Sequence, residues 1–215
     1  MVKLNINSSK LYEGSLQAAI THAVAVGMYP ELNYEHSWDG INYCMNNSEG
    51  CRATITFDSK YIVAVFQDIH KMDVNADAMT YFEGADEDII ELAKNEALQY
   101  VLENVNGEVK PVITSAFWGT WEQLYSAQSF DTIMNNGGYI IRTHLNSYKV
   151  ATKEWKEYYD LNTRQIKLVH TLFDRKIKAG NKKVLLKLGD IKFLYGDTEE
   201  CFTSLEELNI IKEND

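Results

Sequence analysis

The side chains best suited to chemistry stand in one short segment, Tyr34-Glu35-His36-Ser37-Trp38-Asp39-Gly40-Ile41-Asn42-Tyr43. A histidine oriented by a neighbouring carboxylate can act as a general base, so Glu35, His36 and Asp39 form a candidate catalytic set. Tyr34, Trp38 and Tyr43 place aromatic surface beside polar groups, the composition of a pocket for a small ligand or peptide. The same residues also suit a loop anchored on the core, with Asp39-Gly40 as its turn. No glycine-rich cradle or activated nucleophile accompanies the histidine, so packing is the stronger expectation.

The other histidines offer less. Asp68 and His70 follow an apolar strand and are placed as metal ligands would be. The pair resembles part of the metal site of the calcineurin-like metallophosphoesterases. That family also needs later Gly-Asp and Gly-Asn-His segments, and neither occurs here. A solvated loop is therefore expected, with no metal and no cofactor. His22, His144 and His170 have no partner in sequence. No Cys-x-x-Cys pair, P-loop, dinucleotide fingerprint or Gly-x-Ser-x-Gly elbow is found. Cys44, Cys51 and Cys201 are an odd number, and Met1–Asn7 lacks the apolar core of an export signal, so a reducing cytoplasm is expected. Cys44 and Cys51 flank a turn and could approach each other, although two small strand residues are the simpler reading.

Charge is unevenly distributed. The chain carries a net charge of −10, which argues against nucleic-acid or acidic-membrane binding by the whole surface. Yet residues 149–187 hold eleven Lys or Arg against four Asp or Glu, leaving the remainder strongly acidic. Within that stretch Arg164, Lys167, Arg175 and Lys178 are candidate binding residues for phosphate or an acidic partner. Leu161–Leu172 locally resembles the opening helix of a winged-helix DNA-binding domain, with Val184–Tyr195 as its wing. That helix continues to about Lys178, so only 178–183 separate it from the hairpin, which leaves no room for a recognition helix.

Several elements must position these groups. Val2, Leu4 and Ile6 alternate as a strand, and Leu16, Ile20, Ala23, Val24 and Met28 mark a helix with one buried face. A β-meander is expected over about 41–67, with 61–66 apolar on both faces and therefore central. A helix over 86–104, a strand over 112–118 and a helix over 121–134 follow. Helices over 152–159 and 163–178 come next, the second turning Ile166, Val169, Phe173 and Ile177 inward. A hairpin over 184–195 turns at Gly189-Asp190, and a short helix spans 204–208. Phe117, Trp118, Trp121 and Tyr125 are expected in the core. Strands first and helices later indicate an α+β fold with a largely antiparallel sheet. With 45% hydrophobic and 24% charged residues, 215 residues suit a single domain, 1–215, with 147–215 as a candidate helical subdomain.

No apolar run approaches the roughly 18 residues of a membrane helix. These features together lead to the expectation of a non-enzymatic, cytoplasmic binding protein. It would act on a protein partner as an immunity, antitoxin-like or inhibitor protein. The abundance of Asn, Lys, Ile and Tyr suggests an AT-rich bacterial or phage genome. One alternative is a small enzyme or ligand-binding domain built on Glu35, His36 and Asp39. A second is nucleic-acid contact through 149–187.

Overall fold

The computed structural model describes residues 1–213. It is α+β, as the order of elements indicates, with an antiparallel sheet of seven strands. These are β1 (Val2–Leu4), β2 (His36–Asp39), β3 (Asn42–Asn46), β4 (Arg52–Phe57), β5 (Tyr61–Gln67), β8 (Ser115–Thr120) and β9 (Leu124–Ser126). Their order across the sheet is β1-β9-β8-β5-β4-β3-β2, which puts β5 in the middle. Ile62, Ala64 and Phe66 of β5 enter one apolar layer, while Val63 and Val65 enter the other. A strand buried on both faces carries no polar alternation, and this is what its continuous apolar run reports.

The helix α1 (Ser8–Ala25) crosses one face of the sheet, capped by the Asn7 side chain, which accepts from the Lys10 amide at 2.9 Å. One buried face was expected, but α1 is buried nearly all round. The sheet covers one side, and α4 (Tyr148–Tyr158), α5 (Thr163–Ala179) and α7 (Thr198–Glu207) cover the other. Small residues such as Gly14, Ala18, Ala19 and Ala23 permit this close enclosure. Buried side chains of α4, α5 and α7 share one continuous cluster with α1 and the sheet. The opposite face of the sheet is covered by α2 (Glu87–Asn95) and the 3₁₀ turns Ala78–Phe82 and Ala97–Tyr100.

Several boundaries differ from the periodic pattern. The helix expected over 86–104 stops at Asn95, and a hairpin of β6 (Leu102–Val105) and β7 (Glu108–Pro111) turns at Asn106-Gly107. Ala97, Leu98 and Val101 are buried in the structure and would be buried in a longer helix too, so apolar spacing could not separate the two. The helix expected over 121–134 is β9 followed by α3 (Phe130–Asn135), because β9 is needed to pair β8 with β1.

The hairpin expected over 184–195 is also replaced. β10 (Val184–Leu186) pairs in parallel with β11 (Ile210–Lys212), and α6 (Leu188–Ile191) lies between them in the chain. The Asp190 carboxylate accepts from the Lys187 amide at 3.0 Å and from the Arg175 guanidinium at 2.5 Å. Those bonds turn Gly189-Asp190 into a helical turn rather than a hairpin. On α5 the inward stripe is Gln165, Leu168, Val169, Leu172 and Lys176, while Ile177 is exposed. Two polar members hide that stripe from a search for apolar spacing. Among the described residues no helix is long and apolar enough to cross a membrane.

Gly14 marks a close approach of α1 to the chain that follows α3. A Cβ there would collide with the backbone of His144, which cannot move like the end of a side chain. Replacing Gly14 with Ala should cost about 1–3 kcal/mol through overpacking, despite the better helix propensity of Ala. Urea unfolding measures it; an unchanged or raised midpoint would contradict the enclosed position of α1.

Candidate functional site

The structure separates Glu35, His36 and Asp39. The carboxylate of Glu35, with 2% of the residue exposed, accepts the hydroxyls of Tyr158 at 2.5 Å and Tyr159 at 2.8 Å. Burial, reinforced by Glu35, pushes both tyrosines above their ordinary range, so they remain donors. His36 turns instead to Tyr43, with Nδ1 at 2.6 Å from the hydroxyl, and the same hydroxyl lies 2.6 Å from Nε2 of His144. Asp39 stands on the other face of β2 and accepts from the Tyr100 hydroxyl at 2.7 Å.

The alternation of the edge strand β2 explains the split. His36 and Trp38 point toward α1, whereas Asp39 points away. The three side chains of the expected set therefore do not converge on a common point. His22, His36 and His144, unassigned or separate in sequence, gather instead: the His22 and His36 rings lie 5.2 Å apart, and Trp155 stands edge-on to His36 and His144. Burial drives His22 down to about 4 and His144 down to about 3. His36 is lowered further by the two neighbouring histidines in addition to its own burial. All three are neutral imidazoles at neutral pH. Since one hydroxyl proton serves only one acceptor, either His36 or His144 must donate its N–H to the Tyr43 oxygen.

An accessible concavity lined by aromatic rings lies at the end of the sheet where three turns meet. Strand register brings the β2–β3, β4–β5 and β8–β9 turns to that end. A cleft of about 500 Å³ opens there, walled by Tyr12, Trp38, Phe57 and Trp121. Trp38 stacks on Phe57 with ring centres 5.9 Å apart, and Tyr12 meets Trp38, Phe57 and Trp121 edge-on. Glu207 lines the cleft, and its carboxylate accepts the outward amide of Trp38 at 2.8 Å, covering an open position on the edge strand. Partial burial raises the Glu207 carboxyl.

Lys176 also lines this cleft, with 6% of the residue exposed. Among the described residues no carboxylate lies within 4.0 Å of its ammonium. Burial lowers its basicity. Neither Tyr12 nor Lys176 was legible as a site residue, because each reads as part of a helix. Tyr34 and Tyr43 lie elsewhere, the first half-exposed on a separate groove and the second fully buried. On α5, Arg164, Lys167 and Lys178 are exposed, while Arg175 is held by Asp190.

The opposite flank is acidic. Asp73, Asp77, Glu83, Asp86, Glu87, Asp88 and Glu91 are all exposed, and 73–91 contains no Lys or Arg. Of these, Asp88 is matched by Lys60 at 3.5 Å. The fold therefore places the acidic α2 flank and the basic α4–α5 flank on opposite faces of one sheet.

No family model matches the chain, and no curated protein or solved structure is significantly similar to it.

The buried histidines determine the response to acid. Their folded pKa values lie below the unfolded value of about 6.5, so the unfolded chain alone gains protons as pH falls below that value. Stability should be level above about pH 6.5 and then fall by up to about 1.4 kcal/mol per pH unit for each histidine as pH drops toward 4. Urea midpoints across this window check the sign; equal stability at both ends would refute neutral buried imidazoles. Tyr43→Phe should cost on the order of 1–3 kcal/mol for each imidazole nitrogen left without a partner.

Proposed function

We propose that this chain is a non-enzymatic binding protein that acts on a basic protein partner, in the manner of an immunity or inhibitor protein. The seven exposed carboxylates of 73–91, without a cation in the same stretch, carry this reading. A field of one sign accelerates encounter with a partner of the opposite sign and discriminates against other surfaces. The acidic flank is backed by the covered face of the sheet, so its carboxylates project from a fixed frame. The sealing of Glu35 under the Tyr158 and Tyr159 hydroxyls, and of His36 and His144 about the Tyr43 hydroxyl, supports binding over turnover at that place.

Immobilised protein should retain one basic protein in near-equal amount from a native lysate of the source cells. Raising the salt and reversing Glu87 and Glu91 to Lys should each weaken that retention at least tenfold, as expected for an electrostatically steered complex. Both residues are exposed, so folding is preserved. Absence of a stoichiometric partner, or retention indifferent to salt and to both reversals, would defeat the proposal.

The aromatic cleft favours a second reading, a site for a small planar organic anion. Four rings supply the apolar walls, and the Lys176 ammonium supplies the positive charge, while the Glu207 carboxylate in the same lining is occupied by the Trp38 amide. Benzoate, a planar anion that does not emit in the tryptophan band, should change the protein's tryptophan fluorescence on titration, and this change should be lost in Trp38→Phe with Trp121→Phe. Lys176→Met should retain the fold and lose at least tenfold in affinity. An unresponsive wild-type protein, or equal binding by the variant, would exclude this reading.

A further inference from the structure

At the opposite end of the sheet the β3–β4 turn meets the segment that leaves β5. Asn47 fixes that turn: its side chain accepts from the amides of Glu49 at 3.1 Å and Cys51 at 2.9 Å. Gly50 between them adopts φ +88°, a left-handed conformation that glycine enters without a Cβ penalty. Glu49 and Cys51 consequently point toward His70, which the Asp68 carboxylate holds by accepting the His70 amide at 3.0 Å. One ligand atom from each of Glu49, Cys51 and His70 lies within 4.8 Å of the others. Nε2 of His70 is 3.7 Å from Oε2 of Glu49. Ligand atoms in a tetrahedral zinc site stand roughly 3.3–3.7 Å apart, given bonds of about 2.0–2.3 Å.

A second observation points the same way. Asp68 is 2% exposed, and its Oδ1 lies 3.7 Å from the Cys51 sulfur. Among the described residues neither Asp68 nor Glu49 is paired with a Lys or Arg. A buried carboxylate without a counter-charge is costly, and a divalent cation beside it removes that cost. The Tyr139 hydroxyl donates to the Cys51 sulfur at 3.2 Å, the outer hydrogen bond that a metal-bound thiolate accepts.

We propose that Glu49, Cys51 and His70 form a zinc site, with Asp68 and Tyr139 as positioning residues. Thiolate, imidazole and carboxylate together suit zinc better than a hard cation such as magnesium or calcium. Binding converts the Cys51 thiol to a thiolate, and its proton leaves to solvent. The three protein ligands leave one position for water. This site departs from the expectation of a solvated Asp68–His70 loop, because sequence proximity could not reveal that Glu49 and Cys51 come from a neighbouring turn.

Cobalt(II) titration of the full chain under a phosphine reductant tests it. One equivalent should produce a near-ultraviolet thiolate-to-cobalt band and the visible bands of a tetrahedral centre, and zinc should abolish both. Cys51→Ser should remove the charge-transfer band, while Cys44→Ser with Cys201→Ser should leave it. His70→Ala and Glu49→Gln, at exposed positions that preserve folding, should each weaken binding on the order of tenfold or more. Absence of the band in wild type, its survival in Cys51→Ser, or unchanged affinity in His70→Ala would overturn the assignment. Should Cys51→Ser unfold, as circular dichroism would show, the two exposed variants decide the question.

Discussion

The enclosure of α1 is the constraint on which the other features depend. A helix buried on one stripe can tolerate bulky residues elsewhere, but one surrounded by a sheet and three helices needs small side chains on several sides. Gly14, Ala18, Ala19 and Ala23 meet that need, and the backbone of His144 consequently approaches α1 closely. Polar groups carried into this interior must find partners there. Ser15 and Thr21 donate to carbonyls one turn back, and Gln17 donates to the Tyr148 carbonyl and the Thr152 hydroxyl of α4. The helical third of the chain is thereby tied to the helix near its beginning.

The histidine and tyrosine network follows from the same enclosure. His22 rides on α1, His36 and Tyr43 come from adjacent strands, and His144 precedes α4. Bringing them into an apolar interior favours neutral imidazoles, and each hydrogen bond gains strength where water is absent. Such a network gives the core directional contacts that apolar packing lacks. It also withdraws from solvent the histidine that, in sequence, stands beside the best-placed carboxylates.

Functional surface is left at the margins of the sheet. Antiparallel register collects turns at both ends, and turns carry side chains free of the packing demands inside. At one end the turns and the ends of α5 and α7 shape the aromatic cleft with Lys176. At the other, the β3–β4 turn and the exit of β5 place Glu49, Cys51 and His70 together. The covering layers separate charge as well, with acid on the α2 side and base on the α4–α5 side.

Much of the architecture was readable from local pattern. The central position of β5 followed from its continuous apolar run, the meander from alternation, and α5 from a periodic stretch whose capping box, Asn162 with Gln165, forms in the structure. Pattern failed where a non-local bond chose between two conformations: Arg175 and Asp190 make a helical turn of an apparent hairpin, and β9 exists because it joins β8 to β1. The candidate sites were less legible. Glu35, His36 and Asp39 adjoin in sequence yet diverge, because strand residues alternate between faces and each found different tyrosines: Tyr158 and Tyr159 for Glu35, Tyr43 on the adjacent strand for His36, and Tyr100 for Asp39. Cys51 and His70, like Trp38 and Lys176, are separated along the chain and share a site only after the sheet sets its register. Sequence by itself determined which segments had to be buried and the net charge of each stretch, since both depend on local composition. Tertiary structure alone decided which polar groups meet, because that depends on contacts between residues far apart in the chain.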